Sequence, residues 1–107
     1  MALSLTINYK DSARESLHLP FSVQSALNER WRPLAVHLGL PTLQRLEYLW
    51  ITDRAEALRF VAELRAVERH LRQADVADEY ILTRIDELVP ILEGAIAEWD
   101  QAAGVSV

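Results

Sequence analysis

The sequence predicts an α+β fold, helix-rich, with a β-hairpin at the N-terminus and a long antiparallel helical hairpin towards the C-terminus. Three observations predict it. Apolar and polar residues alternate in the first twenty positions. From about residue 22 onward the apolar residues recur instead at intervals of three and four. The chain has 107 residues, half hydrophobic and a quarter charged, so it can bury a core without staples and reads as a single domain, 1–107.

The strands come first. In "LSLTINY" (3–9), Leu3, Leu5, Ile7 and Tyr9 point one way and Ser4, Thr6 and Asn8 the other. After the polar "KDSARE", "SLHLPF" sets Leu17, Leu19 and Phe21 against His18 and Pro20. Two such segments make a hairpin. Pro20 either ends the second strand or keeps it at an edge, because it has no N–H to give to a ladder.

A helix is expected over about 22–38. Ser22 offers an N-cap. Val23, Leu27, Trp31, Leu34 and Leu38 then share one helical face. Pro33 lies inside the pattern; it removes the backbone bond to Glu29 and bends or splits the helix. "HLGLP" is a stop: Gly39 takes the left-handed C′ position, Leu40 packs back on Ala35, and Pro41 blocks continuation. "TLQRLEYLWIT" (42–52) carries two patterns. Leu43, Leu46 and Leu49 or Trp50 fit a short helix, whereas "EYLWIT" is rich in strand formers and alternates Tyr48 and Trp50 against Leu49 and Ile51. A third strand near 47–51 is favoured, since an isolated hairpin is marginal.

The clearest element spans about 53–74. Thr52 or Asp53 caps it, and Asp53 with Glu56 has capping-box spacing. Ala57, Phe60, Val61, Leu64, Val67, Leu71 and Ala74 form its buried stripe. Glu68 and Arg72 make an i,i+4 pair on the exposed side. Arg54, Arg65, Arg69 and Arg72 gather on one flank. The last helix is expected over about 77–102. Pro90 falls near its acidic side, where water can replace the lost bond to Asp86, so a kink is expected rather than a break. The tail "GVSV" is expected to be loose.

That last helix holds the candidate functional residues. Glu79, Asp86, Glu93 and Asp100 stand in a row, seven residues apart. Roughly opposite lie Ile81, Ile85, Leu88, Leu92, Ala95 and Trp99. Between them runs a second apolar row, Leu82, Val89 and Ile96. The apolar arc is about 140° wide, against the roughly 100° that a surface helix needs. Two readings follow. The helix is wedged between the 53–74 helix and the sheet, buried on two sides; or Leu82, Val89 and Ile96 form a partner seam flanked by the acids. The candidate interface is therefore Glu79, Leu82, Asp86, Val89, Glu93, Ile96 and Asp100. Its partner is a second copy in a two-fold homodimer, or a basic protein. The acidic row also has a plainer reading, a solvated face partly paired with the arginine flank of the preceding helix.

Charge narrows the partners. Residues 1–40 carry four Lys/Arg against three Asp/Glu, residues 41–76 six of each, and residues 77–107 one Arg against seven acids. The net charge of −5 thus belongs to the last segment, which argues against nucleic acid on that face.

Chemistry is sparse. His18, His37 and His70 follow no ligand spacing, and the pairs Asp78/Glu79 and Asp86/Glu87 point about 100° apart on a helix, which makes no acid–base couple. There is no HExxH, Walker loop or GxGxxG. Ser12, Ser16, Ser22 and Ser25 have no base arranged beside them. Trp31, Trp50 and Trp99 can line a pocket, but core packing is favoured. In "NERWRPLA", Arg30 and Arg32 flank Trp31 and form either a small anion site or, more simply, a solvated face around a buried indole. No cysteine is present, which excludes disulfides and thiolate metal sites and fits a reducing compartment. "MALSLTINYK" lacks signal-peptide character, and no run of 18 apolar residues exists, so a cytoplasmic protein without membrane contact is expected. No cofactor is expected. The function expected is a small non-enzymatic protein-binding module, of the immunity or antitoxin type that masks a basic partner; acidic surface gives such an inhibitor fast association. The alternative is a small-ligand-binding or enzymatic domain with a pocket between sheet and helices, lined by Trp31, Tyr48 or Trp50.

Overall fold

In the computed structural model, which describes residues 2–10, 15, 17–73, 78–99 and 102–106, the alternating segments form the expected hairpin. Strands β1 (Ala2–Tyr9) and β2 (Leu17–Val23) pair antiparallel, with Leu5 opposite Leu19 and Thr6 opposite His18. Leu5, Ile7 and Phe21 are fully buried, and Leu3, Tyr9 and Leu19 pack against the same core. Pro20 lies on β2, an outer strand of the sheet, opposite Ser4 and next to a register shift, the setting in which a strand tolerates proline. β2 continues through Ser22, which pairs with Leu3, so Ser22 is a strand residue and not the helix cap.

Helix α1 covers 24–37, in three parts: an α turn at Gln24–Ala26, a π turn at Leu27–Trp31 and an α segment at Arg32–His37. The Arg32 N–H donates to the Leu27 carbonyl, five residues back. The widened turn sits directly before Pro33, the residue that cannot donate to Glu29. The chain thus meets its proline with a π turn and keeps its helical course. Of the expected face, Leu27 and Trp31 are buried and Leu34 and Leu38 are partly covered, with Ala35 buried beside them. Gly39, with φ +65°, closes the helix. Its N–H donates to the Val36 carbonyl at 3.2 Å and that of Leu40 to Ala35 at 2.8 Å, a Schellman stop.

The two patterns in 42–52 divide the segment between them. Pro41–Gln44 is a short helix, α2, followed by a 3₁₀ turn at Leu46–Tyr48; strand β3 is confined to Trp50–Ile51. The strand expected near 47–51 is thus shorter, because Leu43 and Leu46 bury their side chains from helical turns before the alternation begins.

Helix α3 (Arg54–Gln73) and helix α4 (Glu79–Ala97) form the long hairpin. The Asp53 carboxylate accepts the Glu56 N–H at 2.8 Å, and Asp78 accepts that of Ile81 at 3.4 Å. Ala57, Phe60, Leu64, Val67 and Leu71 are buried, and Val61 lies partly covered. Ala74 lies outside the described residues. α4 passes through Pro90 without interruption, and both Pro90 and Asp86 are exposed residues, on the side where water can replace the missing bond.

The C-terminal end departs most from expectation. α4 stops at Ala97, not near 102, and the tail read as loose is strand β4 (Ala102–Ser106). β4 pairs antiparallel with β1 on one side and β3 on the other, giving the order β2-β1-β4-β3. Val105, opposite both Ile7 and Ile51, is buried. Gly104 is required: a Cβ there would lie 2.8 Å from the Ile51 carbonyl oxygen. Local periodicity could not reveal β4, because "AAGVS" is too short and too small-sided to alternate visibly; its place is defined by the neighbours on both sides. One face of the sheet carries the helices. Phe21 joins the layers, its ring 4.9 Å from Trp31 and 6.4 Å from Phe60 between centroids. No helix among the described residues is long and apolar enough to cross a membrane.

Candidate functional site

The second apolar row of α4 is covered within the chain. Leu82 and Ile96 are 6% exposed and Val89 1%. α4 packs on α3 along one side and meets β2 on the other, which accounts for an apolar arc wider than one neighbour needs. The strip of branched side chains is therefore not presented to water. The acids beside it are: Glu79, Asp86 and Glu93 are exposed, and Asp100 lies outside the described residues.

Two of these acids meet the arginine flank of α3. Arg65 Nη2 lies 3.2 Å from Glu93 and its Nη1 3.4 Å from Glu68. Arg72 lies 3.7 Å from both Asp86 and Glu68. Glu68 thus sits between two arginines that each reach across to α4. The hydrogen bond that Arg65 donates to Glu93 raises the pKa of its guanidinium above the usual value, opposed by desolvation, with the charge of Glu68 adding to the rise. These contacts lie in solvent, where ion pairs stabilise little. On α4 itself, Glu79, Asp86, Glu87 and Glu93 are exposed, and Arg84 is its one cation, held 3.1 Å from Glu87. The outer face of α4 thus stays acidic.

Glu63, which the sequence places on the flank of α3 near His70, has a role that periodicity does not reveal. It is 5% exposed. Its two oxygens accept the backbone N–H groups of Thr42, at 3.2 Å, and Leu43, at 2.9 Å. A carboxylate from a distant helix thereby caps the first turn of α2, which has no side-chain cap of its own. The hydrogen bonds account for its burial, and its role is structural.

The tryptophans separate. Trp31 is fully buried and Trp99 partly so. The buried indole Nε1 of Trp31 has no hydrogen-bond partner among the described residues. Trp50 is 71% exposed and Tyr48 82%, while Leu49 and Ile51 between and after them are buried. The alternation expected for this segment is obeyed, but the side opposite the core is uncovered. Trp50 ends a row across the open face of the sheet, His18, Thr6, Ser106 and Trp50, one residue from each strand. Thr6 Oγ1 and His18 Nδ1 are 3.1 Å apart within it. Apart from its aromatic end the row is small and polar, as suits a solvated face.

Of the residues named in the alternative reading for a pocket between sheet and helices, Trp31 is buried in the core, and Tyr48 and Trp50 stand in solvent. Open grooves lie instead along α1. One, of about 160 Å³, is lined by Ser25, Ala26, Glu29, Arg30 and Tyr80. The next, of about 400 Å³, runs past Glu29, Arg30, Pro33, Leu34 and His37 to Leu71 and Asp78. Arg30 spans the groove, 3.1 Å from Asp78 and with its guanidinium 5.5 Å from the Tyr80 ring centre. Arg32 turns back to Asn28 at 2.9 Å. Arg30 and Arg32 therefore do not converge on an anion. The fold also joins two histidines that are 33 positions apart: the rings of His37 and His70 lie 5.6 Å apart between centroids. No group of three or more His, Cys, Asp or Glu side chains among the described residues is arranged to hold a metal ion.

Compared with protein-family models, with curated proteins and with solved structures, the chain matches none.

Proposed function

We propose that this chain is a small protein-binding module that holds a basic partner through Tyr48 and Trp50. The exposure of those two rings carries the reading. Large aromatic side chains are rarely left this open, and tyrosine and tryptophan supply most interface anchors. They stand at alternate positions beside and on β3, an outer strand of the sheet, so both can enter one partner surface together. The net charge of −5 resides in the last segment of the chain, where α4 carries four acids against one arginine, and it draws the partner's chemistry towards basic. Charge of that kind sets the rate of encounter, whereas buried rings set the lifetime of the complex. A module that masks a basic protein in this way would serve as an inhibitor of the immunity or antitoxin type.

The test begins with co-purification from the native cell and mass spectrometry, followed by kinetics on the partner identified. Tyr48→Ser with Trp50→Ser should raise the dissociation rate. Asp86→Asn with Glu93→Gln should slow association and flatten its salt dependence, leaving dissociation nearly unchanged. Binding that is indifferent to the loss of both rings overturns the assignment of the surface. Small-ligand turnover without any protein partner overturns the reading as a whole.

A further inference from the structure

The structure places two imidazoles where they can share one metal ion, and we infer that His37 and His70 form a binding site for zinc or a similar divalent transition metal. His37 comes from the last turn of α1 and His70 from the last turn of α3. Their ring centroids are 5.6 Å apart with planes tilted by 58°. Zinc binds imidazole nitrogen at about 2.0–2.1 Å, so a tetrahedral ion shared by two rings sets their centroids about 5 Å apart. The observed separation is within a small side-chain adjustment of that value. His37 is exposed and His70 half-buried, so the ion has access and the rings have room to turn. Neither ring has a hydrogen bond or ion pair to surrender among the described residues; their contact is with each other.

The surroundings favour a cation. Both histidines sit at helix C-termini, where the unpaired carbonyls carry partial negative charge. The groove that His37 lines also contains Glu29 and Asp78, with Arg30 already engaged by Asp78. Imidazole is a ligand suited to zinc, copper and nickel and a poor one for magnesium or calcium, which take oxygen. Two protein ligands leave the remaining positions to water. The site is therefore exchangeable, and its affinity rests on both rings acting together. An ion held there ties the end of α1 to the end of α3, two helices joined otherwise by packing.

The experiment uses the full chain and zinc chloride alone, followed by titration calorimetry and by histidine proton NMR. The wild type should bind one zinc, with the signals of His37 and His70 perturbed and that of His18 unmoved. His37→Gln and His70→Gln should each weaken binding by roughly 100-fold, because the second imidazole acts at high effective concentration. His18→Gln should leave it unchanged. Zinc should also raise the thermal midpoint of the wild type progressively, with the logarithm of its concentration once the site is saturated, and fail to do so in either variant. The midpoint shift is read against each variant's own metal-free value, so a general loss of stability does not mimic the result. Absence of binding at millimolar zinc overturns the inference, as does binding that survives both substitutions.

Discussion

A single buried carboxylate illustrates how residue-scale chemistry supports this fold. Glu63 accepts two backbone N–H groups at the start of α2, and among the described residues no other side chain caps that turn. Glu63→Ala should lower unfolding stability by about 1–3 kcal/mol, since it leaves buried donors unsatisfied. Glu63→Gln should recover only part of that, because its amide presents one acceptor where the carboxylate presents two. Denaturant melts of the two variants check the order; an unchanged midpoint in Glu63→Ala would remove the capping role. The glycines make opposite predictions. Gly94 lies within α4, and a Cβ added there would meet nothing within 4 Å, so Gly94→Ala should stabilise by about 0.5–1 kcal/mol through reduced freedom of the unfolded chain. Gly104→Ala should destabilise, because its Cβ meets the Ile51 carbonyl oxygen at 2.8 Å. Thermal midpoints moving in the same direction for both would contradict this account.

Among the elements, β4 carries the most for its size. It joins the β1–β2 hairpin to β3, and without it β3 has no partner in the sheet. Val105→Asp places a charge between Ile7 and Ile51 in a position 2% exposed, and should abolish cooperative unfolding. Ser106→Asp, on the partly exposed neighbour, should be far milder. Circular dichroism and a thermal scan distinguish them; equal effects would mean that β4 is not a core strand. The α1 helix shows an element adapting to its own sequence. Pro33 withholds one hydrogen bond, and the turn before it widens to a π turn instead of breaking. In α4 the same residue type lies on the solvent side, where the helix runs on.

At the scale of the whole molecule, coverage decides which apolar rows are core and which residues remain for partners. Val89→Asp should unfold the chain and not merely separate copies of it, because Val89 is 1% exposed within one chain. Sedimentation with circular dichroism checks this; a folded variant of reduced mass would instead restore Leu82, Val89 and Ile96 as an intermolecular seam. The same consideration orders what could be read in advance. The hairpin, the α3 stripe, the Asp53 cap, the Gly39 stop and the acidic row with its arginine neighbours were all legible, because each depends on residues within a few turns of one another. The amino-acid sequence by itself determined which residues share a face. It could not determine which faces are covered, since that depends on strand order and on contacts spanning most of the chain. Tertiary structure alone turned "AAGVS" into an inner strand, sent Glu63 to the N–H groups of α2, and covered the second row of α4 with the sheet side of the fold. It also left Tyr48 and Trp50 outside and set His37 against His70. The physical reason is common to all five: periodicity is a local property, whereas burial and pairing are settled by non-local packing, where segments distant in sequence compete for the same apolar surface.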